Sequence, residues 1–225
     1  EKVPVGGLDV LLCIADDAST RKHVKRILEA YRQKDARVKV VYLEKNSGIA
    51  AASNAALSLA TGKFVGFLDH DDELTSDALY EVVKLLNERP DIDYVYTDED
   101  KEDLKGRRIE PFFKPDWSPD LFLSMNYVCH FSVIRKSLLD SVGAFHLGFD
   151  GSQDYDLILR VTEKTNRIAH ISKPLYSWRR IPGSGAAAID AKPQARVAAM
   201  KALREALERR GIEGEVVDGY YYGYY

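Results

Sequence analysis

The chain has 225 residues, of which 45% are hydrophobic and 30% charged, a balance that supplies a core and excludes a disordered segment. Its formal net charge of −3 argues against a nucleic-acid binder, which needs a basic stripe to meet the phosphate backbone. Two cysteines without paired spacing, Cys13 and Cys129, give neither a disulfide framework nor a zinc site and fit a reducing compartment.

No apolar run approaches bilayer length and no charged-then-apolar leader opens the chain, so the domain as given reads as soluble. In chain order, Asp9 to Ala15 reads as a short strand. A helix over Arg21 to Lys34 follows, with Val24, Ile27, Leu28 and Tyr31 at helical spacing and Ser19 or Thr20 as its cap. Val38 to Leu43 predicts a strand, Gly48 to Ala60 an alanine-rich helix ended by Gly62, and Phe64 to Leu68 a buried strand. A helix from Asp77 to Glu88, capped by Thr75 or Ser76 and stopped at Arg89-Pro90, leads to a strand over Asp93 to Thr97.

Beyond this βαβ rhythm of a parallel sheet, Lys101 to Pro119 is polar, punctuated by proline and loop-like. Tyr127 to Ile134 predicts a strand and Arg135 to Val142 a short helix. Ser152 caps a helix running to about Thr165, with Asp154 in a first turn whose dipole favours the ionised carboxylate. A strand over Arg167 to Ile171, a loop from Pro182 to Ala188 and a long helix from about Pro193 to Arg210 complete the pass. The tyrosine-rich tail is either a terminal strand or an exposed aromatic patch.

Acidic groups stand at the expected ends of sheet segments: Asp16-Asp17, Asp69 to Asp72, and Asp98 to Asp100. Open α/β sheets bind ligands outside the carboxyl ends of their strands, so the first two groups should face one crevice. Carboxylates at alternating positions suit a hard divalent cation that reaches to nucleotide phosphates. The competing reading is a solvated acidic run beside a helix cap.

The segments Ile14-Ala-Asp-Asp-Ala-Ser-Thr20, Asn46-Ser-Gly48, Ser53-Asn54, Leu68-Asp-His-Asp-Asp72 and Gly151-Ser-Gln-Asp-Tyr-Asp-Leu157 resemble, in order and spacing, the family 2 glycosyltransferases. The resemblance covers residues 9 to 185. It implies a GT-A fold, a Rossmann-like and mostly parallel α/β sheet flanked by helices with a smaller acceptor-side region. Residues 1–100 would bind the nucleotide sugar, 101–189 the acceptor while supplying the catalytic base, and 190–225 would form the C-terminal helix and tail.

By the same resemblance, Asp16, Asn46 and Asn54 line the nucleobase pocket of a UDP- or dTDP-sugar. Asp69 and Asp71 fall on the DxD motif, Asp69 near the ribose and Asp71 as direct ligand of Mn²⁺ or Mg²⁺. Asp154 matches the base that deprotonates the acceptor hydroxyl in an inverting transfer. Arg179 or Arg180 meets phosphate at a closing loop, the second being the preferred assignment. Read from the residues themselves, Trp117 and Asp98 are the acceptor-side candidates, Trp117 offering a flat face to a sugar ring, against the commoner role of a large aromatic buried in the core.

The implied acceptor is a glycan or lipid-linked precursor of a surface polysaccharide. The implied setting is the cytoplasm, at the inner face of the membrane, with peripheral attachment or further domains. A sugar nucleotidyltransferase and a non-catalytic nucleotide- or glycan-binding module are the alternatives. Three departures stand out. Relatives open with a strand, turn and helix before the equivalent of Asp9, which predicts upstream sequence. Ser53 replaces a common arginine. Gln153 replaces an acidic neighbour of the base, which should ease ionisation of Asp154.

Overall fold

The computed structural model describes residues 9–180 and 193–225. The loop expected over 182–188 lies outside them. The chain runs β1 (Leu12–Asp16), α1 (Lys22–Lys34), β2 (Val38–Tyr42), α2 (Ile49–Ser58), β3 (Phe64–Gly66), β4 (Glu73–Leu74), α3 (Ala78–Glu88) and β5 (Tyr94–Glu102). It continues with β6 (Arg108–Phe112), α4 (Pro119–Ser124), β7 (Ser132–Arg135), α5 (Lys136–Val142), α6 (Gln153–Thr162), β8 (Ile168–Arg179) and α7 (Pro193–Arg210).

The α/β class is as expected, but the pairing is mixed. Among the described residues β1–β2 and β5–β8 run parallel, whereas β3–β7, β4–β8, β5–β6 and β5–β7 run antiparallel. The larger sheet has the order β3-β7-β5-β8-β4 with β6 added on β5, and β1–β2 form a separate parallel pair.

The stretch expected as a loop from residue 101 instead holds a hairpin. Antiparallel neighbours need only a tight turn, and Asp103 supplies one by accepting the Lys105 and Arg107 amides at 2.8 and 3.0 Å. Pro111 is tolerated because, among the described residues, β6 pairs with β5 alone and so lies at an edge. The same tolerance of irregularity lengthens β8 well past residue 171: its register against β5 shifts around Asp98 and Pro174 and then resumes. Asp98 to Asp100 therefore lie within a strand, not after one.

Alternation along β5 explains the two cores. Tyr94 and Tyr96 pack with α2, α6 and α7, while Val95 joins the cluster that includes Ala78 and Val82 of α3. Helix α6 is buried from Tyr155 to Val161, as expected of a helix covered on more than one side. Its one buried carboxylate there, Asp156, is paired with Arg160 at 2.6 Å, and the guanidinium also donates to the Val142 and Ala144 carbonyls. The pair thus fixes the α5–α6 connection without leaving an uncompensated charge.

The start of α6 is pinned to α7. Ser152 is the N-cap residue, yet its hydroxyl donates to the Ala195 carbonyl at 2.7 Å instead of capping its own helix. Gly151 has φ +87°, and a Cβ there would stand 2.9 Å from the Ala195 Cβ, so only glycine fits both the turn and the approach. Two other expected caps also move: α1 begins after Arg21 and α3 after Asp77. Ser19 is drawn instead into a turn that Asp16 holds. The tail after α7 is irregular, with Tyr220 and Tyr221 exposed and the Tyr225 amide bonded to the Ser124 carbonyl.

Candidate functional site

The acidic turn Asp69 to Asp72 leaves β3 and enters β4, and β8 shapes it. Strand β4 pairs with β8 through Glu73 opposite Ser177 and Leu74 opposite Tyr176, which brings Tyr176 and Arg179 against the turn. The Tyr176 hydroxyl accepts the Asp69 amide at 3.2 Å and donates to Asp72 Oδ2 at 2.6 Å. The Arg179 amide donates to Asp72 Oδ1 at 2.9 Å, and its Nε to the Asp71 carbonyl at 2.5 Å.

One carboxylate oxygen each of Asp69, Asp71 and Asp72 lies within 4.8 Å of the others. Burial raises the Asp72 carboxyl above its ordinary value, against the Tyr176 and Arg179 hydrogen bonds, and the charges of Asp71 and Asp69 add to the rise. Both Asp72 oxygens accept hydrogen bonds, so Asp69 and Asp71 are the carboxylates of the cluster freer to meet a ligand. Two carboxylates with room for phosphate and water oxygens fit a hard divalent cation.

Asp154 is partly buried at the first turn of α6, where Asn126 donates to its Oδ2 at 2.9 Å. Burial pushes its carboxyl up from the ordinary aspartate value, opposed by the Tyr155 amide and Asn126, while Asp69 pushes it further up. Whatever the Gln153 replacement relieves, burial outweighs it. Asp69 and Asp154, far apart in sequence, are thus within electrostatic reach of each other. His130 stands at this junction, its Nε2 3.7 Å from Asp69 Oδ2.

The nucleobase candidates gather on two neighbouring turns. Asp16 is buried and accepts the Ser19 amide at 3.0 Å. Asp17 holds the turn before α2 by accepting the Ser47 and Gly48 amides, and Asn46 donates to the Asp17 carbonyl at 3.3 Å. Asn54 lies elsewhere on α2: its carboxamide pairs in both directions with the Phe145 backbone at 2.8 and 3.0 Å. Among the described residues no hydrogen bond or ion pair joins Asp16 or Asp17 to the Asp69–Asp72 turn.

Of the residues expected to meet the acceptor, Asp98 is buried and accepts the Lys114 amide at 2.9 Å and His170 Nε2 at 2.8 Å. Trp117 is half-buried against Phe122 and Tyr127. Of the two arginines, Arg179 braces the acidic turn, and Arg180 pairs with Glu110 at 2.6 Å. Sequence reasoning missed Asn126, His130 and Tyr176. The signal for Tyr176 lies in the strand itself, expected to end at residue 171 but running to Arg179.

Three comparisons bear on the site. The model of "Glycosyl transferase family 2" matches residues 6–143. An uncharacterized protein of Sinorhizobium fredii, y4gI, is 48% identical over 200 residues, covering 88% of this chain and 22% of that protein. The O-antigen biosynthesis protein RfbC of Myxococcus xanthus is 42% identical over 203 residues, 90% of this chain and 16% of its own length. The chain therefore spans about a fifth of these relatives.

Among solved structures, S. aureus TarS (1–349) superposes with a TM-score of 0.67 at 21% identity, covering 92% of this chain and 58% of that one. TarS in complex with UDP superposes with a TM-score of 0.64 at 23% identity, covering 86% and 54%. The likeness is one of fold, and the fold is GT-A.

Proposed function

The chain belongs to glycosyl transferase family 2, and from that premise we propose that it carries the donor-handling and base-bearing site of an inverting transferase. The sugar moves from a nucleoside-diphosphate donor to a hydroxyl of a glycan or lipid-linked acceptor. The observation that carries this reading is the joining of Asp154 to the acidic turn: the charge of Asp69 acts on Asp154, and His130 Nε2 lies 3.7 Å from Asp69 Oδ2.

Asp69 and Asp71 would hold Mn²⁺ or Mg²⁺. When bound, such an ion neutralises charge on the departing diphosphate as a Lewis acid. Asp154 accepts the proton of the acceptor hydroxyl while that oxygen bonds to the anomeric carbon and the bond to the diphosphate breaks. Attack opposite the leaving group inverts the centre. Burial suits Asp154 to the task, because a base with a raised pKa binds the transferred proton more firmly.

Asn126 orients the carboxylate, and Arg179 and Tyr176 hold the turn that carries the ligands. Asp16 and Asn46 take the nucleobase, and Asn54 acts by fixing α2 against the Phe145 loop. Arg180 reaches phosphate only by releasing Glu110. Trp117 offers its half-exposed face to an acceptor sugar, with Asp98 setting the floor beneath through His170 and Lys114.

The UDP complex of TarS supports a uridine donor, with a dTDP-sugar the other choice. The O-antigen relative supports a surface-polysaccharide acceptor. No described helix is long and apolar enough to cross a membrane, and work at the cytoplasmic membrane face would then need peripheral attachment or another domain. Nucleoside diphosphate release from a panel of nucleotide sugars, with Mn²⁺ and with chelator, tests the reading. Metal-dependent release from one donor is expected; pyrophosphate release from a nucleoside triphosphate would contradict it.

A further inference from the structure

His130 is held more firmly than a core histidine needs. Its ring stacks on Tyr176 at 4.6 Å and 15°, and lies against Trp178 at 5.1 Å. Its backbone is clamped as well: Glu99 accepts its amide at 3.2 Å, and the buried Lys114 ammonium donates to its carbonyl at 2.5 Å while bonding Glu99 and the Val128 carbonyl. Four side chains, from β5, β8 and the segment after β6, therefore fix where the imidazole points. Rigid placement of this kind is what a binding group needs, because no ordering cost remains at the moment of binding.

The two ring nitrogens differ. Nδ1 is buried with no hydrogen-bond partner among the described residues. A neutral imidazole carries its proton on one nitrogen and an accepting lone pair on the other. A buried N–H without an acceptor is rarer in folded proteins than an under-satisfied acceptor. The proton of the neutral ring therefore belongs on Nε2, which faces Asp69 at 3.7 Å, too far for a hydrogen bond. Nε2 is a fixed donor left open beside the space between Asp69 and Asp154.

We propose that His130 is a donor-sugar contact: its Nε2–H hydrogen-bonds a hydroxyl of the sugar being transferred and helps to select that sugar. The inference rests on the site reading above, in which the sugar lies between a diphosphate at Asp69 and the base Asp154.

The test is titration calorimetry on wild type, His130→Ala and His130→Gln. The ligands are UDP with Mn²⁺ and the tightest binder among UDP-glucose, UDP-galactose, UDP-N-acetylglucosamine and UDP-glucuronate. His130→Ala should weaken the sugar nucleotide about tenfold, the worth of one well-placed hydrogen bond, while leaving UDP affinity unchanged. His130→Gln, whose amide N–H reaches a similar place, should recover most of the loss. Unchanged UDP affinity also reports an intact fold. Equal weakening of UDP and sugar nucleotide, or no change in either, overturns the proposal. Failure of the site reading shows separately, as Mn²⁺-dependent UDP binding that survives Asp71→Ala.

Discussion

Asn126 donates its side-chain amide to Asp154 Oδ2 at 2.9 Å across 28 positions of sequence. The bond favours the ionised carboxylate, whereas burial of the same group favours the protonated one, and burial wins. Asp154 is therefore a base held ready at some cost to the fold, which ties its chemistry to its stability.

Replacement of Asp154 by asparagine should spare donor binding and cut turnover by about 10²–10⁴-fold, the usual worth of a positioned proton acceptor. Steady-state kinetics beside calorimetric donor affinity separate the two effects. In the wild type, kcat should fall on the acid side as Asp154 is protonated. Its raised pKa puts that limb at higher pH than an ordinary aspartate would. Turnover in Asp154→Asn equal to wild type removes this residue from the mechanism.

The same variant should be more stable than wild type at neutral pH. A carboxyl whose folded pKa is raised contributes stability that is full below its unfolded value and is lost as pH rises through the folded value. Removing the charge restores that contribution, so Tm should rise at pH 7. The difference should vanish once the pH falls below the unperturbed value of 3.8. A lower Tm at pH 7 would mean that the Asn126 bond outweighs burial.

Asp71→Ala should make nucleoside diphosphate affinity the same with Mn²⁺ as with chelator. Asp72, engaged by Tyr176 and Arg179, does not turn outward to replace it. A metal-dependent gain that persists in this variant would move the cation elsewhere.

Asn54→Ala tests the staple on α2. The change strips two hydrogen bonds from the Phe145 backbone, for a cost of about 1–3 kcal/mol. Urea unfolding should show a lower midpoint at unchanged slope. A midpoint within error of wild type would leave Asn54 free for the nucleobase.

The strand and helix rhythm before residue 100 was legible because each element keeps one hydrophobic period between clear breaks. The β5–β6 hairpin was not, since an edge strand tolerates Pro111 and charged residues that a sequence pattern reads as loop. The length of β8 was hidden by a bulge at Pro174, and with it the assignment of Arg179 to the acidic turn. Asp69, Asp71 and Asp154 stood out as carboxylates at element ends. His130 did not: a lone histidine in an apolar stretch reads as core until Tyr176 and Trp178, more than forty positions later, are seen stacked around it.

The most direct test is a crystal structure of the protein with UDP and Mn²⁺. The ion should sit on Asp71, with the diphosphate over it and its terminal phosphate open toward Asp154 and His130. UDP bound away from the Asp69–Asp72 turn, or Asp154 facing a different surface, would contradict this placement.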